Sequence, residues 1–100
     1  MIIAEFVCDE EGQLAGFTVR NHGASHVCAA VSLLVLNTVN SIEALTDEAF
    51  DCDHAEDGGF IKFAVKGPRG SKSGILLDAM ALGLSSIQER YPQEIQVTVK

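Results

Sequence analysis

One segment of this 100-residue chain concentrates the residues able to do covalent chemistry: Asn21-His22-Gly23-Ala24-Ser25-His26-Val27-Cys28-Ala29-Ala30-Val31-Ser32. It sets a histidine at the end of an apolar run, then a short Gly/Ala/Ser loop, then a cysteine where an Ala- and Leu-rich stretch begins. A helix N-terminus carries about half a positive charge from its unpaired N–H groups. That field favours thiolate over thiol and lowers a cysteine pKa from its usual value of about 8.5. An imidazole within reach can take the proton, which gives the Cys–His arrangement that attacks acyl carbons. Exposed N–H groups of the same turn can hold the developing oxyanion. The loop permits the pairing, because at about 3.3 Å per residue positions 22 and 28 lie within about 20 Å of each other. Ser32 falls one turn below Cys28 on the same helix face, its hydroxyl in reach of the sulfur or the backbone. On chemistry alone a Cys/His pair is a weak motif, and the competing reading of Cys28 is a small buried apolar group.

The elements that must position these residues follow from the periodicity. Residues 2–8 are rich in Ile, Val and Phe and read as a strand. A turn at 9–13 returns the chain as a second strand over 14–20, with Phe17 and Val19 on one face, so this is a hairpin. Residues 28–45 carry Val31, Leu34, Val35, Thr38, Ile42 and Leu45 at helical spacing. Leu33 and Leu36 widen that band, which predicts a helix covered on more than one side. Phe50, Cys52 and His54 alternate with Asp51 and Asp53, and a turn at 56–59 leads into Ile61, Phe63 and Val65, a second hairpin. Leu76, Met80, Leu84, Ile87 and Tyr91 mark a second helix stopped by Pro92. Ile95, Val97 and Val99 alternate as a last strand. The order ββαββαβ predicts an α+β fold, one small domain over residues 1–100, with two helices packed on an antiparallel or mixed sheet.

Composition narrows the partners. Seven Lys and Arg against 14 Asp and Glu give a net charge of −7. A phosphate-backbone binder needs a basic face, so direct nucleic-acid binding is not expected, whereas an acidic surface attracts basic partners. The apolar runs fall short of the roughly 20 residues of a bilayer span, and the start lacks the basic flank of a signal peptide. Three scattered cysteines imply no disulfide framework. A cytoplasmic domain with no membrane partner is the expectation.

Other patterns are decoys. His22, His26 and Cys28 form His-x3-His-x-Cys, and Cys52-Asp53-His54 adds a pair, but zinc sites show tighter signatures such as Cys-x2-Cys; neither metal nor cofactor is expected. Residues 67–74 suggest a phosphate loop, yet Ser71 stands where a glycine must precede Lys-Ser. That stretch reads as a flexible, mildly basic lead into the second helix. Cys8 and Cys52 read as packing groups.

The run Cys28-Ala29-Ala30-Val31-Ser32, with His22 upstream and Thr38-Val39-Asn40 downstream, resembles the ribosomal-processing cysteine protease family, the Prp or YsxB-like proteins. The opening hairpin, the Asp57-Gly58-Gly59 turn, and Leu82-Gly83-Leu84-Ser85-Ser86-Ile87 before Tyr91-Pro92 carry the likeness over nearly the whole chain. The resemblance implies a small bacterial cytoplasmic enzyme, generally a homodimer. Its members remove an N-terminal extension from large-subunit ribosomal protein twenty-seven during ribosome assembly. It further implies Cys28 as nucleophile, His22 as general base and Ser32 as the serine beside them. The chain departs from the pattern in three places. Asn21 stands where glycine is usual, the loop between histidine and cysteine is shorter, and Ser25-His26-Val27-Cys28 replaces Asp-Ile-Val-Cys. The acidic member is thus absent, with Ser25 as a weaker substitute and His26 as a second imidazole.

Two functions follow. The first is a cysteine endopeptidase with a Cys28–His22 dyad acting on a basic ribosomal protein precursor, an encounter that a net charge of −7 favours. The alternative is a non-catalytic module that holds a ribosomal protein or assembly partner on the same scaffold.

Overall fold

The computed structural model describes residues 1–67 and 70–100. Its elements are β1 (Ile2–Cys8), β2 (Leu14–Arg20), α1 (Ser25–Leu45), β3 (Phe50–His54), β4 (Phe60–Val65), α2 (Ser71–Arg90) and β5 (Ile95–Val99). The ββαββαβ order and the α+β class are as expected from the sequence. The five strands form one mixed sheet in the order β3-β4-β2-β1-β5, with β5 parallel to β1 and every other pair antiparallel.

Alternation decides which side of the sheet is covered. Ile2, Ala4 and Phe6 of β1, Phe17 and Val19 of β2, Phe63 of β4 and Ile95 of β5 are buried with the inner rows of both helices. Register stacks the aromatic side chains: Phe6 faces Phe17 and Phe17 faces Phe63. The rings of Phe17 and Phe63 are 5.2 Å apart and nearly parallel, the offset contact that aromatic pairs favour. Gly16 is needed there, since a Cβ would lie 2.6 Å from the Phe63 carbonyl oxygen. On the opposite face Glu5 pairs with Arg20 and Lys100. Chiefly the Lys100 hydrogen bond, joined by the charge of Arg20, holds its carboxyl below the usual range.

The helices differ from expectation in detail. α1 starts at Ser25 rather than residue 28, because the Ala24 carbonyl already accepts the N–H groups of Val27 and Cys28. Its buried row is Val27, Val31, Val35, Thr38, Val39 and Ile42. Leu45, expected on that row, is 67% exposed, and Leu33 and Leu36 are uncovered within this chain. In α2 the buried row is Ser73, Leu77, Met80 and Leu84; Leu76, Ile87 and Tyr91 flank it, half-buried. Gly83 lets α1 approach, for a Cβ there would meet Leu34 Cδ2 at 2.6 Å. The expectation that apolar runs fall short of a bilayer span also needs correction. By length and composition α1 passes that test, with 21 residues and a mean hydropathy of 1.5, although its inner row is spent on the core. Of the stretch read as a lead into α2, Pro68 and Arg69 lie outside the described residues.

Candidate active site

The strand order sets the end of β2, next to His22, beside the β3–β4 hairpin. The β2–β4 ladder runs out at Arg20 facing Phe60, and the Asn21 N–H continues it by donating to the Gly59 carbonyl at 2.9 Å. Asn21 has φ 72, the left-handed region that Asn enters more readily than other non-glycine residues. This turn delivers His22 to the β3–β4 hairpin, where its Nε2 lies against Gly59: a Cβ on that glycine would stand 2.9 Å from it. Asp57 shapes the same hairpin by accepting the Gly59 N–H at 2.9 Å through Oδ1, with Gly58 at φ 78.

Cys28 sits in the first turn of α1, where helical side chains lean toward the N-terminus. The lean carries the half-buried sulfur back onto Gly23. The Gly23 N–H donates to Sγ at 3.1 Å, and Sγ donates to the Gly23 carbonyl at 3.4 Å. Next along the chain, the Ala24 N–H donates to Glu94 Oε2 at 2.7 Å. The N–H groups of Val27 and Cys28 are taken by the Ala24 carbonyl. Among the described residues, those of Ser25 and His26 remain without a partner at this helix start.

His22, Cys28 and Ser32 line one cleft of about 450 Å³ between α1 and the β2–β4–β3 side of the sheet. Val31, Val35, Leu36, Phe60 and Ile61 make its apolar wall, and His54, Glu56 and Asp57 stand on its polar side. No hydrogen bond joins the exposed His22 ring to the sulfur among the described residues. Such contacts commonly tighten only when substrate fills the site. Ser25 is exposed at the start of α1 and does not line the cleft. The His26 ring is turned instead onto Tyr91, edge-on at 5.2 Å, so the His-x3-His-x-Cys pattern set aside as a decoy is split between two surroundings. Among the described residues no group of three His, Cys, Asp or Glu is arranged to hold a metal ion. Cys52 is half-buried on β3, its thiol pushed up by burial and by the Asp53 charge.

Sequence reasoning missed His54, Glu56, Asp57 and Phe60 as cleft residues. The signal was indirect: only the pairing of β4 with β2 places the second hairpin beside the histidine.

A family model described as cysteine protease Prp matches residues 1–96. The chain is 26% identical to a Staphylococcus aureus protein named ribosomal processing cysteine protease Prp, covering all of both. It is 30% identical to the protein of that name from Bacillus subtilis, over 77% of this chain and 72% of the relative. A crystal structure of an S. aureus essential ribosomal processing protease Prp, with a covalently linked product peptide, superposes with a TM-score of 0.94 at 26% identity over the full length of both chains. A Streptococcus mutans crystal structure superposes at 0.88 with 30% identity, covering 99% of this chain and 93% of that one. A match that runs through both hairpins and both helices leaves no part of the domain unaccounted for, and the chain belongs to the cysteine protease Prp family.

Proposed function

We propose that this chain is the endopeptidase that removes the N-terminal extension of large-subunit ribosomal protein twenty-seven, with Cys28 as nucleophile and His22 as general base. The observation that carries the reading is that sulfur and imidazole, on different elements, line one cleft at the start of α1. His22 takes the Cys28 proton and the thiolate attacks the scissile carbonyl carbon. The oxyanion falls to the unpaired N–H groups of Ser25 and His26 rather than to those of the following residues. The protonated imidazole then gives its proton to the leaving amine, which departs and leaves a thioester. Water, deprotonated by His22, attacks the thioester carbonyl, and the acid product leaves as Cys28 is released. Ser32, on the cleft wall, contributes a hydroxyl beside the sulfur; Ser25 contributes backbone rather than side chain. The apolar wall suits an extended peptide, and a net charge of −7 favours encounter with a basic precursor.

The reading places the protein in the cytoplasm as a homodimer. Leu33 at 73% and Leu82 at 73% exposed, on α1 and α2, supply apolar surface for a second subunit. A solution mass showing monomer alone at working concentration removes the dimer. The deciding test is cleavage of a peptide spanning the extension. Wild type cuts it under reducing conditions, and Cys28→Ala, still folded, does not. Equal cleavage by both removes the nucleophile assignment; cleavage by neither leaves a binding module on this scaffold.

A further inference from the structure

We propose that Glu94 is a positioning residue for the nucleophile: its carboxylate fixes the Gly23–Ala24 peptide plane and thereby holds the residue-23 backbone on the Cys28 sulfur. The inference rests on Cys28 being the nucleophile. A trans peptide unit points its carbonyl and its N–H in opposite directions, and the chain has no cis peptide bond among the described residues. In the Gly23–Ala24 unit the N–H end is held by Glu94 Oε2 at 2.7 Å, and the carbonyl end receives the Cys28 thiol at 3.4 Å. The preceding unit gives its Gly23 N–H to the same sulfur at 3.1 Å. Two consecutive planes therefore meet at Sγ, and one of them is tied to a carboxylate 70 residues away in sequence.

The tie has a firm anchor. The Glu94 N–H donates to the Tyr91 carbonyl at 2.9 Å, and its own carbonyl accepts the Ile2 N–H at 2.8 Å, where β1 and β5 begin. A carboxylate accepting a backbone N–H is about twice as strong a partner as a neutral acceptor. The hinge it restrains is loose by composition, because glycine rotates its flanking planes at little cost. There is no spare room either: a Cβ on Gly23 would lie 3.0 Å from Glu94 Oε2. The restraint matters most during reaction. When His22 takes the thiol proton, the bond from Sγ to the Gly23 carbonyl vanishes, and Glu94 becomes the remaining side-chain tether of that plane. The Gly23 N–H then stays aimed at the thiolate and the start of α1 keeps its place.

The test compares Glu94→Ala with Glu94→Gln, whose amide oxygen still accepts the Ala24 N–H. Readouts are kcat and KM on the extension peptide, normalised to folded enzyme, and the iodoacetamide rate at Cys28 followed by peptide mass mapping. Glu94→Ala is expected to lose about tenfold in kcat with KM little changed, and to alkylate Cys28 at an altered rate. Glu94→Gln is expected to stay near wild type in both. An unchanged kcat and alkylation rate in folded Glu94→Ala overturns the proposal, as does Glu94→Gln failing to rescue. Cys28→Ala is run alongside: if it retains cleavage, the underlying nucleophile reading falls, whereas its loss beside an unaffected Glu94→Ala overturns only the positioning role.

Discussion

The two helices of this domain begin in similar ways and end up with different tasks. Neither has a side-chain cap of its own; the N-cap residues are Ala24 in α1 and Gly70 in α2. Each instead receives a glutamate from a distant segment. At α2, Glu48 accepts the Ser73 N–H at 3.1 Å and the Ser73 hydroxyl, with Ser73 fully buried. At α1, Glu94 takes the N–H of Ala24, one step outside the helix, and the N–H groups of Ser25 and His26 meet no partner among the described residues. A helix start whose third N–H and nearby hydroxyl are both met by one carboxylate is a structural joint. One with open donors, a sulfur leaning over it and a cleft beside it retains the electrostatics that an acyl transfer uses. The same local device thus serves stability in one place and leaves room for chemistry in the other.

The largest effect that tests this contrast belongs to the base. His22→Asn is expected to lower kcat by about 10²–10⁴-fold, the usual worth of a general base. The His22 ring is exposed, so the thermal midpoint should barely move. A large loss of stability would place His22 among structural residues and blur the distinction between the two helix starts. At α2 the expected pattern is reversed. The hydrogen bond from Ser73, strengthened by its backbone N–H, holds the Glu48 carboxyl below its ordinary 4.5. A folded-state pKa below the unfolded one adds stability that is present above the unfolded value and lost as pH falls through the folded value. Glu48→Gln should therefore lower the thermal midpoint at pH 7, with the gap to wild type closing as the pH drops below about 4. Activity per folded molecule should be unchanged. A gap that persists at low pH means the carboxylate is not the source of the stabilisation.

The elements on either side of this contrast were legible in the sequence, the contrast itself was not, and the limits have physical causes. Element order followed from composition and periodicity, and the shared faces of Phe17 with Val19 and of Ile61, Phe63 and Val65 from period-two alternation, since one face of an antiparallel sheet is buried. Cys28 and His22 were singled out from residue type, loop length and the family resemblance, and both line the same cleft. The start of α1 was set three residues late: its N-cap is Ala24, a residue with no capping side chain, and Ser25, of a type that usually caps, is already inside the helix. Glu94 and Glu48 were invisible: each acts on a helix start far away in sequence, and such pairings depend on topology rather than periodicity. The cleft's second wall was hidden for the same reason. His54, Glu56 and Asp57 reach the site only because β4 lies beside β2, and strand order is not written in local patterns.

Alkylation rates sharpen the comparison further. Cys28 meets a backbone N–H donor at a helix start, while burial and the neighbouring Asp53 push the Cys52 thiol up. Iodoacetamide at neutral pH should modify Cys28 well ahead of Cys52. The reverse order would remove the claim that the start of α1 activates its sulfur.

The smallest effects come from one chemical change made at both helices. Ser73→Ala in α2 removes a buried hydroxyl that donates to Glu48, leaving the carboxylate short of a partner; a loss of about 1 kcal/mol in unfolding free energy is expected, with activity per folded molecule intact. Ser32→Ala in α1 removes an exposed hydroxyl on the cleft wall, one turn from Cys28. Its expected cost is about threefold in kcat/KM, the size of one weak hydrogen bond, with no measurable change in stability. Denaturant midpoints and steady-state kinetics on the two variants separate the readings. If Ser32→Ala destabilises the fold as Ser73→Ala does, the α1 face is a second structural joint. If it alters catalysis alone, deletion of a single oxygen atom divides the two helices by function, because only one of them exposes its hydroxyl to the space a peptide would occupy.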